Sequence, residues 1–409
     1  MFLLSQYCTI TFDNLLAQRE RDKSVKVNTV PVGQGDSTVI ECPNGDISII
    51  DMGCFVFGEG GQSDGSDGCP MGRKGYAKFI EKTFLEEGYS NLKHVFLTHG
   101  HADHMNYAYS GNGEGLLEKW SENWKAEGGD KLDIYIGDKD GWNLPSKKNF
   151  IAFLVQSNGF ILKEQTNFPK SIEICSSKDS LKTTIKIITS DVSTKSLNAR
   201  SMVMSLEIEG AKKMLFMGDF EHGYDKLMKD HKNAISNHSI VMVPHHGSAR
   251  NGNPSEDFYK AVSPKHAIVS SSLWSRNSHP RMKHLEAICG NSGNSGTAPM
   301  ESNDAALAIG WNDSDDSNVC DDSEDPDCNT APSDCSDSDD PDNCDDSDNS
   351  EKISTKGDKK LAKLTRCVNS VKIHQTTTYE QLTQKKMYEI KTTLDEQNNI
   401  KVVSQQYIV

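Results

Sequence analysis

The 409-residue chain lacks any apolar stretch long enough to cross a bilayer, so no membrane insertion is expected. Its start, Met1-Phe2-Leu3-Leu4-Ser5-Gln6-Tyr7-Cys8, has no basic n-region and reads as a poor signal peptide; a cytoplasmic location is expected. None of the 11 cysteines has metal-knuckle spacing. Cys8, Cys42, Cys54, Cys69, Cys175, Cys289 and Cys367 read as ordinary reduced thiols, whereas Cys320, Cys328, Cys335 and Cys344 would pair only in an exported protein. Apolar residues are scarce, at 35%. That shortage is local: residues 313–350 contain sixteen acids and no Lys or Arg. With the whole chain at −15, the remainder stands at +1, and the low pI argues nothing against a polyanionic substrate.

The densest chemistry is Thr98-His99-Gly100-His101-Ala102-Asp103-His104, which follows the apolar run Leu92 to Leu97. Three imidazoles and a carboxylate at the end of a strand form a ligand set suited to Zn, Mn or Fe. Against this stands a polar loop of ordinary hydrogen bonds, the better reading for one isolated histidine. Three more strand-like runs end in similar groups: Lys213 to Met217 before Gly218-Asp219, Ser239 to Val243 before Pro244-His245-His246-Gly247-Ser248, and Ala267 to Ser272 before Asn277-Ser278-His279-Pro280. Ligand sites gather at the rim where strands end, so four such ends predict one shared site.

The runs Ser37 to Cys42 and Ile47 to Asp51 flank an Asn44-Gly45 turn and predict a hairpin. Asp51 at its close is either a turn former or a residue that orients a ligand histidine. Gly33-Gln34-Gly35-Asp36 lacks the phosphate-loop lysine and reads as a backbone turn near the site. Helical periodicity appears over Tyr76 to Glu87, around Leu116 to Trp124, from Phe150 to Val155, over Tyr224 to Lys229 and over Arg281 to Cys289. Strand patterns resume after the acidic segment, at Val371 to His374, Tyr388 to Thr393 and Ile400 to Val403. The expected organisation is one large domain over 1–310 that carries the shared site, a disordered acidic segment over 311–350, and a strand-rich segment over 351–409 packing on the first. The acidic segment lacks a calcium-loop pattern and reads as a solvated spacer.

Within the shared site, one or two divalent ions, Zn or Mn, are the expected cofactor. His99 and His101 would hold one ion, Asp103 and His104 the other, and Asp219 would bridge them. His279 would complete the second position, and His245 or His246 the first. A metal-bound hydroxide is a strong nucleophile at neutral pH. Alternation along a strand would send His245 and His246 to opposite faces, one to metal and one to substrate or packing. Arg200 could grip a phosphate or form a surface ion pair. Ser248 could touch a phosphate oxygen or cap the next helix.

The stretch His99 to His104 resembles the His-x-His-x-Asp-His signature of the metallo-β-lactamase superfamily, as Asp51-Met52-Gly53 and Gly218-Asp219 resemble two more of its motifs. Val32-Gly33-Gln34-Gly35-Asp36-Ser37, Asn198-Ala199-Arg200-Ser201-Met202-Val203, Val243 to Ser248 and Asn277 to Pro280 look most like the hydrolase domain of ComEC-type DNA-uptake proteins. The bacterial choline-phosphate esterase is similar around the double histidine. The resemblance covers roughly residues 25–290. It implies an α/β fold, an αββα sandwich with metals at one edge of two sheets. Asp103, His246, Arg200 and Ser248 are the residues expected to act in catalysis. This chain departs from it by having Leu197-Asn198-Ala199-Arg200 where many members supply a further histidine, and by carrying no channel helices.

The function expected is metal-dependent hydrolysis of a phosphodiester, with nucleic acid one candidate. The alternatives are a small phosphoester or lactone as substrate, and a metal-binding interaction protein without turnover whose acidic segment recruits a basic partner. Lys352, Lys356, Lys359, Lys360, Lys363 and Arg366 would either meet a polyanion or neutralise the adjacent acids.

Overall fold

In a computed structural model, the described residues are 24–54, 72–85, 88–137, 145–164, 168–175, 182–189, 196–209, 213–248, 254–271 and 279–290, with five further strands downstream. Two mixed sheets carry the architecture. The first contains β1 (Val25–Thr29), β2 (Ser37–Glu41), β3 (Ile47–Met52), β4 (Leu92–Leu97), β5 (Leu132–Ile136) and β6 (Phe160–Glu164). The second contains β7 (Ile172–Cys175), β8 (Thr183–Thr189), β9 (Val203–Ile208), β10 (Lys213–Phe216), β11 (His238–Met242) and β12 (His266–Val269). Beyond the short pair β13 (Ile309–Gly310) and β14 (Leu361–Ala362), β15 (Lys372–Gln375) joins the second sheet beside β12, while β16 (Lys386–Leu394) and β17 (Ile400–Ile408) extend the first beyond β1.

Both sheets follow the same plan. Antiparallel pairing runs β1–β2–β3 in the first and β7–β8–β9–β10 in the second. Parallel pairing follows, β3–β4–β5–β6 and β10–β11–β12–β15. The strand period of two puts alternate residues on opposite faces. Phe96, Ile50 and Tyr135 therefore face Met204, Met214, Met242 and Ile268 in one core between the sheets. Their neighbours Val95, Ile49 and Ile134 face outward beneath a helical layer of α1 (Arg73–Phe84), α3 (Leu116–Glu127) and α4 (Pro145–Gln156). A one-turn helix, α2 (Ala102–Met105), follows β4. On the second sheet's side, α5 (Tyr224–Ile235), α6 (Glu256–Val262) and α7 (Met282–Cys289) pack in series, and α5 reaches β8.

The Asn44-Gly45 turn closes as expected: Gly45 takes φ 88°, and its N–H donates to Cys42 O at 2.9 Å. Helix α4 starts at Pro145, earlier than its apolar periodicity suggests, because proline suits the first helical turn. Strands β6 and β7 escape a reading of the sequence. Ile172–Cys175 is only four residues long, and the run Phe160–Glu164 ends in charge. Ala308–Lys363 is a separate unit. The acidic run 313–350, the basic residues Lys352 to Lys360, Lys363 and Arg366, and the leading segment Met1 to Cys8 lie outside the described residues. Among the described residues, no helix is long and apolar enough to cross a membrane.

The expectation of reduced thiols is corrected. Cys42, just past β2, is bonded to Cys175 at the end of β7, tying the two sheets together across 133 residues of chain. Cys54 and Cys289 are disulfide-bonded as well. Scattered spacing hides such pairings, because partners meet in space and not in sequence.

Two predictions follow from the core. Replacing both Cys42 and Cys175 with serine lowers unfolding free energy by about 2–4 kcal/mol in denaturant titration, since closing a long loop constrains the unfolded chain; an unchanged midpoint refutes the pairing. His238 is buried, donating from Nδ1 to Ile235 O and accepting at Nε2 from Ser205 Oγ, each at 2.8 Å. Burial pushes it from 6.5 down to about 4. The unfolded chain therefore gains the proton first, and stability drops by on the order of 3 kcal/mol as pH falls through that window. The variant His238→Asn flattens that part of the stability–pH curve; a curve parallel to wild type contradicts the assignment.

Candidate metal centre

The parallel halves of both sheets point their C-terminal ends at one rim. From the first sheet come Asp51 at the end of β3 and Thr98 to His104 after β4; from the second come Asp219 after β10, His245 and His246 after β11, and Ser270 after β12. Glycines let these backbones close up. A Cβ on Gly53 would stand 2.3 Å from Asp103 C and 2.4 Å from His104 N. Gly218 takes φ 50°, and a Cβ there would stand 2.7 Å from Thr98 Oγ1, so the aspartate that follows can come alongside the histidine turn.

Asp51 is held at φ 55°, a left-handed conformation rare outside glycine. Its Oδ1 accepts the Thr98 N–H at 2.7 Å; its Oδ2 accepts Thr98 Oγ1–H at 2.7 Å and lies 2.8 Å from His104 Nδ1. With its proton given to Asp51, the Thr98 hydroxyl oxygen is left to accept from His99 Nδ1 at 3.2 Å. His246 Nδ1 donates to Ser270 O at 2.8 Å. Three histidines thus have Nδ1 occupied and present Nε2 to the centre, the arrangement that prepares an imidazole for a metal.

Three ligand groups assemble there: Asp103, His104, Asp219 and His246; His99, His101 and Asp219; and Asp36, Asp51 and His104. The first two share Asp219, one oxygen facing each. Oδ1 lies 3.0 Å from His104 Nε2 and 3.4 Å from His246 Nε2; Oδ2 lies 3.9 Å from His99 Nε2. His246 Nε2 also lies 3.3 Å from Asp103 Oδ2. Donors around one tetrahedral zinc stand roughly 3.4 Å apart and never beyond about 4.2 Å, twice the metal–nitrogen bond, so these spacings fit. The Nε2 atoms of His99, His101, His104 and His246, with Asp219 Oδ1, are buried and form no hydrogen bond of acceptable geometry. Buried polar atoms left so cost about 1–3 kcal/mol each, and divalent cations would satisfy all of them together. The donor set of imidazole and carboxylate suits Zn, Mn or Fe alike.

Charge is balanced within the cluster. Burial disfavours a charge on Asp219, yet His104, His246 and His245 around it hold its carboxyl well below the usual range. Burial opposes a proton on His104, but Asp219, Asp51 and Asp103 outweigh it and hold the imidazole well above the ordinary value. The same contest places His246 at about 9, burial losing to Asp219, Asp103 and Asp36. His99 goes the other way, driven well below by burial and by neighbouring His104 and His101.

The double histidine departs from the expected alternation. His245 and His246 take φ 50° and 52° in a turn after β11, so strand geometry does not govern them. His246 enters the group of Asp103 and His104, the place expected of His279. His279 instead lies near His245, ring centres 5.7 Å apart with the planes tilted, and belongs to none of the three groups. His245 is outside them too, although its Nε2 lies 3.8 Å from Asp219 Oδ2, the oxygen that His99 faces, and 3.4 Å from Asn198 Nδ2. Asn198, in the turn Asn198–Arg200, therefore stands against His245. The next helix is capped not by Ser248 but by Ser255, whose Oγ accepts the Phe258 N–H at 3.3 Å. Ser248 is buried, its carbonyl accepting from His284 Nδ1 at 2.6 Å. Arg200 is half-buried in the turn Asn198–Arg200, next to Ser201, whose hydroxyl accepts the Asp219 N–H at 3.2 Å.

Two acids were not singled out for roles at the site from the sequence. Asp36 lies 3.9 Å from His104 Nδ1 and 3.7 Å from His246 Nδ1, and burial raises it to about 6. Glu221 lies 3.2 Å from His245 Nδ1 and accepts from Ser196 Oγ at 2.9 Å. Asp36 belongs to the Gly33–Asp36 turn that the sequence already places near the site, and Glu221 follows Gly218-Asp219 by two residues.

No family model matches the chain, and no curated protein matches it. Among solved structures, one titled "Peroxy diiron species of chemotaxis sensor ODP" is similar at a TM-score of 0.29 and 14% identity, over 59% of this chain and 78% of that one.

The hydrogen bonds to Asp51 predict a specific weakness. Asp51→Asn leaves the circular dichroism spectrum unchanged and weakens zinc binding about 10–100-fold in chelator competition, the usual effect of losing the partner behind a ligand histidine. Wild-type affinity in that variant would remove Asp51 from the account.

Proposed function

We propose that the chain is a metal-dependent hydrolase of the metallo-β-lactamase fold, of the ComEC-type kind that its motifs resemble, acting on a phosphodiester. The observation that carries this reading is the bridging position of Asp219, with one oxygen toward His104, His246 and Asp103 and the other toward His99. Two divalent ions in such a frame acidify water and neutralise charge that develops on the substrate, the chemistry that phosphoester hydrolysis needs. The layers support the fold assignment: helices cover the outer face of the first sheet, and the two sheets share an inner core.

The chain's own residues divide the work. His104, His246, Asp103 and Asp219 would hold one ion by four side chains, a closed set for a tetrahedral site. His99, His101 and Asp219 would hold the other by three, leaving a coordination position for water or substrate. His101 is the most exposed of these three side chains. Asp51, Thr98 and Ser270 fix the imidazole orientations from behind. Arg200 and Ser248 remain candidates for contact with substrate. Nucleic acid is one candidate substrate, and a small phosphoester or lactone would use the same frame. The disulfides favour an oxidising compartment over the cytoplasm expected from the start of the chain.

A panel of single-stranded DNA, duplex DNA, RNA, bis(p-nitrophenyl) phosphate and a lactone, assayed with Zn or Mn, tests the reading. Metal-dependent cleavage of at least one phosphodiester is expected, and Asp219→Ala abolishes it, a loss of more than 1000-fold, while the fold persists. Turnover that survives this substitution, or lactone cleavage alone, overturns the phosphodiesterase assignment.

A further inference from the structure

Three consecutive left-handed residues form the turn that carries the double histidine: His245, His246 and Gly247 take φ 50°, 52° and 83°. Only the glycine adopts that conformation freely, so the two histidines stay in it only where their surroundings fix them. One end of the turn is tied to the turn of the bridging carboxylate. His245 N–H donates to Gly218 O at 3.0 Å, and Ser248 N–H donates back to His245 O at 2.7 Å. The other end is tied to α7 and, through it, to α6. Arg281 N–H donates to Gly247 O at 2.8 Å, and a Cβ on Gly247 would stand 2.5 Å from Pro280 Cβ. His284 Nδ1, on α7, donates to Ser248 O at 2.6 Å, and the Tyr259 hydroxyl, on α6, lies 2.7 Å from His284 Nε2.

The chemistry of this chain of bonds has one solution. A carbonyl oxygen only accepts, so His284 Nδ1 carries the imidazole proton. Burial pushes His284 down to about 4, which leaves Nε2 bare at neutral pH to accept from the Tyr259 hydroxyl. Tyr259, His284 and Ser248 are all buried, so water does not compete for these bonds. We infer that Tyr259 and His284 are positioning residues for the four-ligand position: the hydrogen-bonded pair clamps Ser248 and so keeps His246 beside Asp103 and Asp219. The group of His99, His101 and Asp219 takes no side chain from this turn, so loss of the clamp strikes one position and spares the other. The inference rests on the metal reading of the site and not on the identity of the substrate.

The test is chelator competition for zinc, with hydrogen–deuterium exchange on the same samples. His284→Leu keeps bulk in the buried site and removes the donor. It should weaken one zinc ion by about 10-fold or more and leave the other within about twofold, as expected when only the partner behind one ligand is lost. Exchange should speed at the Ser248 and Arg281 amides, while the Thr98 amide, held by Asp51, stays slow. His284→Asn, whose amide N–H can stand in for Nδ1–H, should restore the lost ion. Tyr259→Phe, which removes one hydroxyl and keeps the ring, should weaken the same ion. A wild type holding one zinc should hold it at the four-ligand position and lose it in these variants. Wild-type zinc affinity in His284→Leu, or in Tyr259→Phe where His284→Leu does not fold, overturns the clamp. Equal losses of both ions, or faster exchange at Thr98 as well, overturn it too, since they reflect general loosening. So does an Asn variant that binds zinc no better than the Leu variant. Wild type that binds no zinc refutes the metal reading itself, whereas loss confined to one ion in a protein without turnover sustains the clamp and refutes only the hydrolase.

Discussion

Asp219 is a carboxylate sealed from solvent between imidazoles, and the rest of the site is arranged around that one constraint. An ionised acid in a protein interior survives only when opposite charge surrounds it. Here His104 and His246 lie against it, and with Asp51 and Ser270 fixing these two from behind, five strand ends meet. The two sheets make this possible by presenting their parallel halves in the same sense, so that β3, β4, β10, β11 and β12 all finish at one rim. Glycines at 53 and 218 remove the side chains that would keep those ends apart. Non-glycine residues in left-handed conformations, Asp51, His245 and His246, cluster at the same rim, as strained backbone does where geometry serves chemistry.

The two ligand groups differ in a way that bears on their roles. The group of Asp103, His104, Asp219 and His246 is buried throughout, whereas the group of His99, His101 and Asp219 has an edge toward solvent at His101. Supporting acids are also uneven: Asp51 and Asp36 stand behind the first group, while Glu221 serves His245 beside the second. Under the proposed metal reading, four ligands on one side of the shared carboxylate and three on the other would divide holding from reacting.

Much of this was legible in the sequence, for identifiable reasons. His99 to His104 lie within one turn, so proximity is guaranteed by the chain itself. Asp219 and the 245–246 pair were legible because each follows a recognisable apolar strand, and strand ends converge. What escaped depends on backbone conformation or on distant partners. The sides taken by His245 and His246 follow from positive φ values that no strand rule anticipates. The exchange of His279 for His246 at Asp103 and His104 follows from that same turn. Asp36 and Glu221 act through histidines far away in sequence, and the disulfides join residues whose spacing carries no pattern. Of the fold, the long amphipathic helices and the apolar strands were readable, while the short β7 and the charged β6 were not.

The account stands or falls on metal at Asp219. Elemental analysis of the purified, oxidised protein, combined with X-ray absorption at the edge of the metal found, tests it most directly. The account predicts between one and two equivalents of a divalent transition metal in a shell of imidazole nitrogens and carboxylate oxygens. Well under one equivalent after incubation with zinc or manganese, or a sulfur-rich shell, would contradict it.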